Sequence, residues 1–243
     1  VNADLPVLEA RHLTRRVSSD GAELMIVDDF SFAFNPGRIY SILGPSGAGK
    51  SSVLRLLNRL DEPTAGDVVF AGTDYRTIAP CELRKRIGYL FQVPYLFPGT
   101  VADNLRYADN TLDSGRIGQL LELASFNPQK SGQTAASLSV GEKQRVALAR
   151  LLATDPKVIL LDEPTAALDP TYTSKIEGAV RKIATDRNLA VIMVSHSPEQ
   201  ALRMGGEGLL IVSGRLEEYG PADRLVNAPQ TEAGRRYCDK ELT

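Results

Sequence analysis

Residues 44–51 read Gly44-Pro45-Ser46-Gly47-Ala48-Gly49-Lys50-Ser51, set between an apolar run at 38–43 and an apolar-striped helical pattern at 50–60. This segment constrains the fold more than any other. A glycine-rich turn joining a buried strand to a helix gathers backbone N–H groups, and the positive end of the helix, around one point. Side chains at the glycines would block both the curled backbone and the approach of an anion. The spacing G-x-x-x-x-G-K-S is that of a phosphate-binding loop in its proper strand-to-helix setting. Lys50 is expected to reach the terminal phosphates of a nucleotide. The Ser51 hydroxyl is expected to ligate Mg2+, a cation that prefers oxygen ligands, and Ser52 completes the nucleotide-binding set.

The rest of the chain supplies a sheet for this loop. Residues 157–161 and 190–195 are continuous apolar runs of the kind that form central, doubly covered strands. Residues 209–212 form another, followed by the turn Ser213-Gly214. Such runs alternating with helical patterns predict an α/β fold. Residues 5–13 and 24–34, with Phe30, Phe32 and Phe34 alternating, predict strands of a hairpin-type sheet, which 67–70 and 87–91 are expected to continue. The helix over 50–60 places Val53, Leu54, Leu56, Leu57 and Leu60 on its apolar side. Residues 101–129 predict a helical lobe with two short breaks, with Ile117, Leu120, Leu121 and Leu123 at helical spacing. The polar stretch 231–243 is expected to be peripheral.

Composition removes several function classes. Lys plus Arg number 28 and Asp plus Glu 30, a net charge of -2, so no basic excess drives nucleic-acid binding. Cys81 and Cys238 are far apart and read as reduced thiols. His12 and His196 are too few for a His-rich metal site. No apolar run approaches the ~20 residues that span a bilayer, and the first residues carry no basic-then-apolar signal pattern. A soluble, cytosolic chain is expected.

Two further positions carry chemistry. The run 158–161 ends in Asp162 and Glu163. At the end of a buried strand beside a phosphate loop, Asp162 can hold the Mg2+ shell, and Glu163 can orient or deprotonate an attacking water. His196 follows the run 190–195 and is placed to sense the terminal phosphate. The run Leu138-Ser139-Val140-Gly141-Glu142-Lys143-Gln144-Arg145 opens an amphipathic helix. Its Ser and Gly can seat an anion at the helix start or serve as an ordinary cap.

Together these residues resemble the ATP-binding-cassette (ABC) ATPase family over nearly the whole chain. Residues 44–51 match the phosphate loop and Gln92 the glutamine linking the metal site to the helical lobe. Residues 138–144 match the signature, and 160–163 the acidic strand. Ala167-Leu168-Asp169 match the dimer-contacting loop, and His196 the switch histidine. The resemblance implies a P-loop NTPase (RecA-like) core with an antiparallel β subdomain and an inserted α-helical subdomain. The whole, 1–243, then forms one nucleotide-binding domain, with core and β subdomain at 1–92 and 150–243 and the signature subdomain at 93–149. It implies ATP and Mg2+ as cofactors, with Ser51, Gln92 and Asp162 at the metal and Glu163, His196 and Lys50 catalytic. It also implies a head-to-tail homodimer in which Ser139 and Gly141 contact ATP bound to the other copy.

Two departures stand out. Val140 and Glu142 occupy signature positions that are usually glycine and glutamine. The aromatic that stacks on adenine is not evident; residues 13–18 read LTRRVS, with Val17 nearest that position and Arg16 able to lie on the base face. Looser base discrimination is the expectation, with GTP hydrolysed at a rate not far below ATP.

Within the family the resemblance is closest to small, stand-alone ATPases of the iron-efflux and plant aluminium-tolerance type. Leu13-Thr14-Arg15, residues 54–60, 97–104 and 139–142 carry it. The chain is expected to lack the additional β domain of sugar importers. Those members work with a separate transmembrane permease, which implies a peripheral position on the cytoplasmic side of the membrane. The apolar stretch Tyr95-Leu96-Phe97, beside Gln92 and between prolines, is expected to line the docking groove. A soluble cassette ATPase acting on nucleic acid or ribosomes is the alternative. A P-loop kinase would not need residues 138–145 or His196, and Glu163 argues against a non-hydrolysing switch.

Overall fold

The computed structural model describes residues 5–19, 22–166, 168 and 170–241. Ala167 and Asp169 of the expected dimer-contacting loop lie outside the described residues. The chain opens with two long antiparallel strands, β1 (Leu8–Ser19) and β2 (Ala22–Phe34), and then enters β3 (Ile39–Leu43). The phosphate loop leads into α1 (Lys50–Leu57), followed by β4 (Ala65–Phe70), β5 (Thr73–Asp74), α2 (Pro80–Arg86) and β6 (Ile87–Leu90). Helices α3 (Val101–Arg106), α4 (Ser114–Leu123) and α5 (Val140–Ala153) come next, then β7 (Val158–Asp162) and α6 (Pro170–Asp186). The chain closes with β8 (Ala190–Val194), α7 (Pro198–Met204), β9 (Glu207–Val212), β10 (Arg215–Pro221), α8 (Ala222–Asn227) and α9 (Glu232–Cys238).

Two sheets result. One is antiparallel, in the order β2-β1-β4-β5; the other runs β10-β9-β3-β8-β7-β6, parallel except for β10. Neighbouring strands β3, β8, β7 and β6 each end in a segment the sequence marks as chemical: the phosphate loop, His196, Asp162 and Glu163, and Gln92. Parallel strands bring their carboxyl ends to one edge, where open α/β sheets bind ligands.

Both faces of the parallel sheet are covered, which is why its central strands β7 and β8 are apolar almost throughout. Val158, Leu160, Ile192 and Val194 pack with α1 and the antiparallel sheet, while Ile159, Leu161, Val191 and Met193 pack with α4, α5 and α6. Val101, Leu105, Ile117, Leu120 and Leu121 join the second cluster, so the helical lobe shares a core with the sheet.

Several expectations need correction. Residues 87–91 do not continue the antiparallel sheet: β6 pairs in parallel with β7, register Ile87 with Val158. Helix α2 leads into β6, the crossover from β6 to β7 runs through α3, α4 and α5, and Ile87 and Leu90 bury on opposite faces. Helix α1 stops at Leu57, not Leu60. Arg59 takes φ 61°, and the Leu60 N–H bonds back to the Arg55 carbonyl at 2.9 Å, the wrapped ending of a terminated helix. Residues 101–129 form α3, α4 and a short 3-10 turn at Pro128–Lys130, with the two short breaks expected between them. Residues 231–243 are not wholly peripheral, because Tyr237 of α9 is buried against Leu43, Leu210 and Leu225. Among the described residues no helix is long and apolar enough to cross a membrane.

Candidate active site at the carboxyl edge of the parallel sheet

The phosphate loop is built from backbone demands. Gly44 has φ 145° and Gly49 φ 96°, and a Cβ at either would run into a carbonyl oxygen, that of Ile211 or of Ile26. Only glycine fits such contacts with positive φ. No side chain caps α1, so the N–H groups of its first turn are left for an anion. The Lys50 ammonium is 5% exposed as a residue and donates to the carbonyl oxygens of Gly44, at 2.8 Å, and Pro45, at 2.7 Å. Burial lowers its pKa, and the charges of Glu163 and Asp162 oppose that shift without cancelling it. Lys50 is thus folded onto its own loop, in place to exchange carbonyl oxygens for phosphate oxygens.

Across the loop, the Ser51 hydroxyl donates to Asp162 Oδ1 at 2.7 Å, and the Tyr89 hydroxyl to Asp162 Oδ2 at 2.8 Å. Burial, then the nearby Asp162 charge, raises the Tyr89 pKa and keeps that phenol a donor. Tyr89 was not singled out from the sequence; strand alternation in β6 was its only signal. Glu163 is held at both carboxylate oxygens: Gln92 Nε2 donates to Oε2 at 3.0 Å, and His196 Nε2 lies 2.5 Å from Oε1. Its backbone takes φ 46°, unusual for a side-chain-bearing residue and costing about 1–2 kcal/mol.

A cleft of about 360 Å3 is lined by Ser46, Gly47, Ala48, Gly49, Lys50, Ser51 and Ser52 together with Glu163, His196 and Ile26. Val17 and Arg16 are not among the lining residues. Val17 pairs with Leu24 along the hairpin, and Arg16 is exposed beside Glu23. Ile26 stands at the mouth instead. Its neighbour Val27 is fully buried, so alternation along β2 turns Ile26 toward the phosphate loop, and period-two patterning was the signal that could have found it.

The signature run lies elsewhere: none of residues 138–144 lines this cleft. Ser139 caps α5, accepting the Glu142 N–H at 3.3 Å, while Glu142 Oε2 accepts the Ser139 N–H at 3.0 Å, and Lys130 holds Glu142 Oε1 at 2.8 Å. The glutamate at this position therefore serves a capping box. Val140 follows, 51% exposed and in helical conformation, so no left-handed backbone is asked of it. Gln144 Nε2 donates to the Phe91 carbonyl at 3.3 Å, tying α5 to the residue before Gln92.

The cradle, the lysine and the strand-end acids together are the constellation of a nucleoside-triphosphate hydrolase, and comparison decides which. A family model described as ABC transporter matches residues 27–166. This chain belongs to the ABC transporter ATPase family. As an ABC ATPase it is 43% identical to Protein STAR1 of Oryza sativa subsp. japonica over 238 residues, covering 96% of this chain and 68% of that protein. It is also similar to a solved dimeric ATP-binding cassette, MJ0796, bound to ADP and Pi in a post-hydrolysis state. That match has a TM-score of 0.79 and 29% identity, over 88% of this chain and 98% of the other. CbiO1 of Clostridium perfringens, part of the transporter complex cbiONQ, matches with a TM-score of 0.83 and 25% identity over 93% and 92%. The resemblance to plant aluminium-tolerance ABC ATPases read from residues 13–15, 54–60, 97–104 and 139–142 is borne out. The ABC ATPase family binds and hydrolyses ATP.

Proposed function

We propose that this ABC ATPase hydrolyses Mg2+-ATP as a head-to-tail homodimer and drives solute transport through a separate transmembrane permease, from the cytoplasmic face of the membrane. The observation that carries the reading is Glu163. Its carboxylate stands at the rim of the phosphate cleft between Gln92 and His196, where an attacking water would be oriented and relieved of its proton. Lys50 and the loop N–H groups hold the terminal phosphates, and His196 fixes the carboxylate.

The residues fit a magnesium ion. Ser51 and Asp162 place hydroxyl and carboxylate oxygens side by side, and Gln92 holds a further amide against Glu163. Oxygen donors few in number, with phosphates and waters completing the shell, suit Mg2+. When bound, the ion neutralises charge on the β- and γ-phosphates.

The dimer is supported by what the cleft lacks. Its lining draws nothing from Ser139 or Gly141, so a second copy is the natural source of the signature contact. The dimeric state of the similar cassette MJ0796 agrees.

The permease is supported by a groove of about 440 Å3 beside Gln92, whose lining includes Phe91, Val93, Tyr95, Phe97, Tyr107 and Arg150. Phe91, Val93, Tyr95 and Tyr107 are exposed. The loop is rigid in its connections. Buried Asn104 bonds both backbone groups of Phe97, at 2.8 and 3.0 Å, and Arg150 bonds the Tyr95 carbonyl at 2.8 Å. A preformed apolar groove with a firm floor is a docking surface. Co-purification with a multi-span membrane protein encoded by an adjacent gene, followed by solute-stimulated ATPase activity, tests the assignment. A permease that neither binds the chain nor alters its turnover refutes it.

A further inference from the structure

The loops carrying Glu163 and His196 meet at one buried side chain behind the site, Gln200 of α7, which is 6% exposed. Its Oε1 accepts the Ser195 hydroxyl at 2.6 Å. Its Nε2 donates to Thr165 Oγ1 at 2.8 Å and to Glu177 Oε1 at 3.0 Å. Ser195 immediately precedes His196, and its Oγ accepts the Ser197 N–H at 3.0 Å, so both neighbours of the histidine are held. Thr165 stands two positions after Glu163.

Glu177 gives this junction its direction. It is 4% exposed on α6 and takes two hydrogen bonds from Arg203, Nε to Oε2 at 2.9 Å and Nη2 to Oε1 at 2.8 Å. A carboxylate only accepts. The amide nitrogen of Gln200 must therefore face Glu177, its oxygen must face Ser195, and the Ser195 hydroxyl must donate. The hydrogen bonds that link Arg203, Glu177, Gln200, Ser195 and the Ser197 backbone in series then each have a set polarity. A buried ion pair is weak as a source of stability, and apolar side chains would pack α6 against α7 equally well. The relay also lines a cavity of about 210 Å3 whose wall includes Glu163 and His196, the same two residues that line the phosphate cleft on their other side.

We propose that Gln200, locked in one amide orientation by the Glu177–Arg203 pair, is a positioning residue for ATP hydrolysis that sets the placement of the Glu163 loop against the His196 loop. This rests on the reading of Glu163 and His196 as the hydrolytic pair. Nucleotide binding belongs to the phosphate loop, which the relay does not touch. Loss of the relay therefore acts on turnover and spares affinity.

The test uses the purified full chain, steady-state ATPase kinetics with kcat and KM resolved, and equilibrium binding of a fluorescent ATP analogue. Gln200→Met keeps length and leaves the Glu177–Arg203 pair intact. It is expected to lower kcat about tenfold while KM and analogue affinity stay within about twofold. Gln200→Glu sets carboxylate against carboxylate and is expected to be at least as impaired. Glu177→Gln added to Gln200→Glu exchanges the roles, because the new amide donates and Glu at 200 accepts from Ser195 and Thr165. Most of the lost kcat is expected to return. A kcat for Gln200→Met within about twofold of wild type, a parallel loss of affinity, or no recovery in the double variant overturns the proposal. Glu163→Gln is measured alongside. Turnover surviving in that variant overturns the hydrolytic reading itself, whereas an inactive Glu163→Gln beside a fully active Gln200→Met overturns the relay alone.

Discussion

His196 Nε2 lies 2.5 Å from Glu163 Oε1, so the ends of β7 and β8 are joined through the side chain proposed to activate water. Gln92 Nε2, 3.0 Å from the other oxygen, brings in the end of β6. A carboxylate gripped from both sides, on a backbone at φ 46°, is held to one direction rather than left to sample several. The same grip connects the proposed hydrolytic centre to the apolar groove, because Phe91 and Val93 flank Gln92 on that surface.

Glu163→Gln keeps the shape of that side chain and removes its basicity. Turnover is expected to fall by about a hundredfold or more, with ATP binding retained. The ATP-bound dimer should then accumulate and appear as a doubled mass in size-exclusion chromatography with light scattering. A monomer at saturating ATP and Mg2+ contradicts the sandwich.

The parts of this site that announced themselves in the sequence are those whose chemistry is local. The phosphate loop is contiguous, and its glycines answer to backbone conformations set within a few residues. Asp162 and Glu163 stand at the end of an unbroken apolar run. Ile26, Tyr89 and Gln200 gave no such sign, because each acquires its role from a partner far along the chain: Ile26 from the loop at Gly49, Tyr89 from Asp162, Gln200 from Thr165 and Glu177. The same reason explains the misplacing of 87–91. Alternation marks a strand but not its neighbour, and β6 pairs in parallel with β7 only after a long connection through α3, α4 and α5. Tyr237 sits in a polar stretch that hides it in the sequence, and its hydroxyl donates to the His196 carbonyl at 3.4 Å.

Ser51→Ala removes the hydroxyl that now donates to Asp162 at 2.7 Å. If the pair holds the metal, the Mg2+ concentration giving half-maximal ATPase activity should rise, by about tenfold or more. A titration of Mg2+ at fixed ATP measures it. An unchanged Mg2+ dependence with lowered kcat would place the metal elsewhere.

Phe97 stacks on Tyr107 with ring centroids 4.3 Å apart and carries the Arg150 guanidinium 5.0 Å from its centroid. Its ring is only partly covered, so Phe97→Asp is expected to leave the isolated chain folded, with basal ATPase activity within about twofold of wild type. Stimulation by the permease should disappear. A collapse of thermal stability would instead mark the ring as core, and persistence of stimulation would move the docking surface away from this groove.

Apart from His196, which is bound to Glu163, the described lining of the cleft carries no ring, and Ile26 is its largest apolar side chain. An aliphatic contact distinguishes purines poorly, because discrimination of a substrate group needs a partner left unpaired by the wrong one. The ratio of kcat/KM for ATP over GTP is therefore expected to stay within about tenfold, measured side by side at equal Mg2+. Ile26→Ala should weaken both nucleotides alike. A preference for ATP in the hundreds would show a base-reading group supplied from outside this cleft.

Glu177 gives a pH dependence with a definite sign. Burial pushes its carboxyl upward, but the hydrogen bonds from Arg203 and Gln200, with the charges of Arg203 and Arg181, outweigh burial and hold it below its ordinary 4.5. A carboxyl depressed in the folded state stabilises the fold above its unfolded pKa, and that contribution drains away as pH falls through the folded value. The stability difference between the native chain and Glu177→Gln should therefore be constant from neutrality down to the region of 4.5, then shrink with further acidification. Urea unfolding midpoints across that range measure it. A difference that widens on acidification would mean that Glu177 is protonated in the folded protein and that Arg203 is bound to a neutral acid.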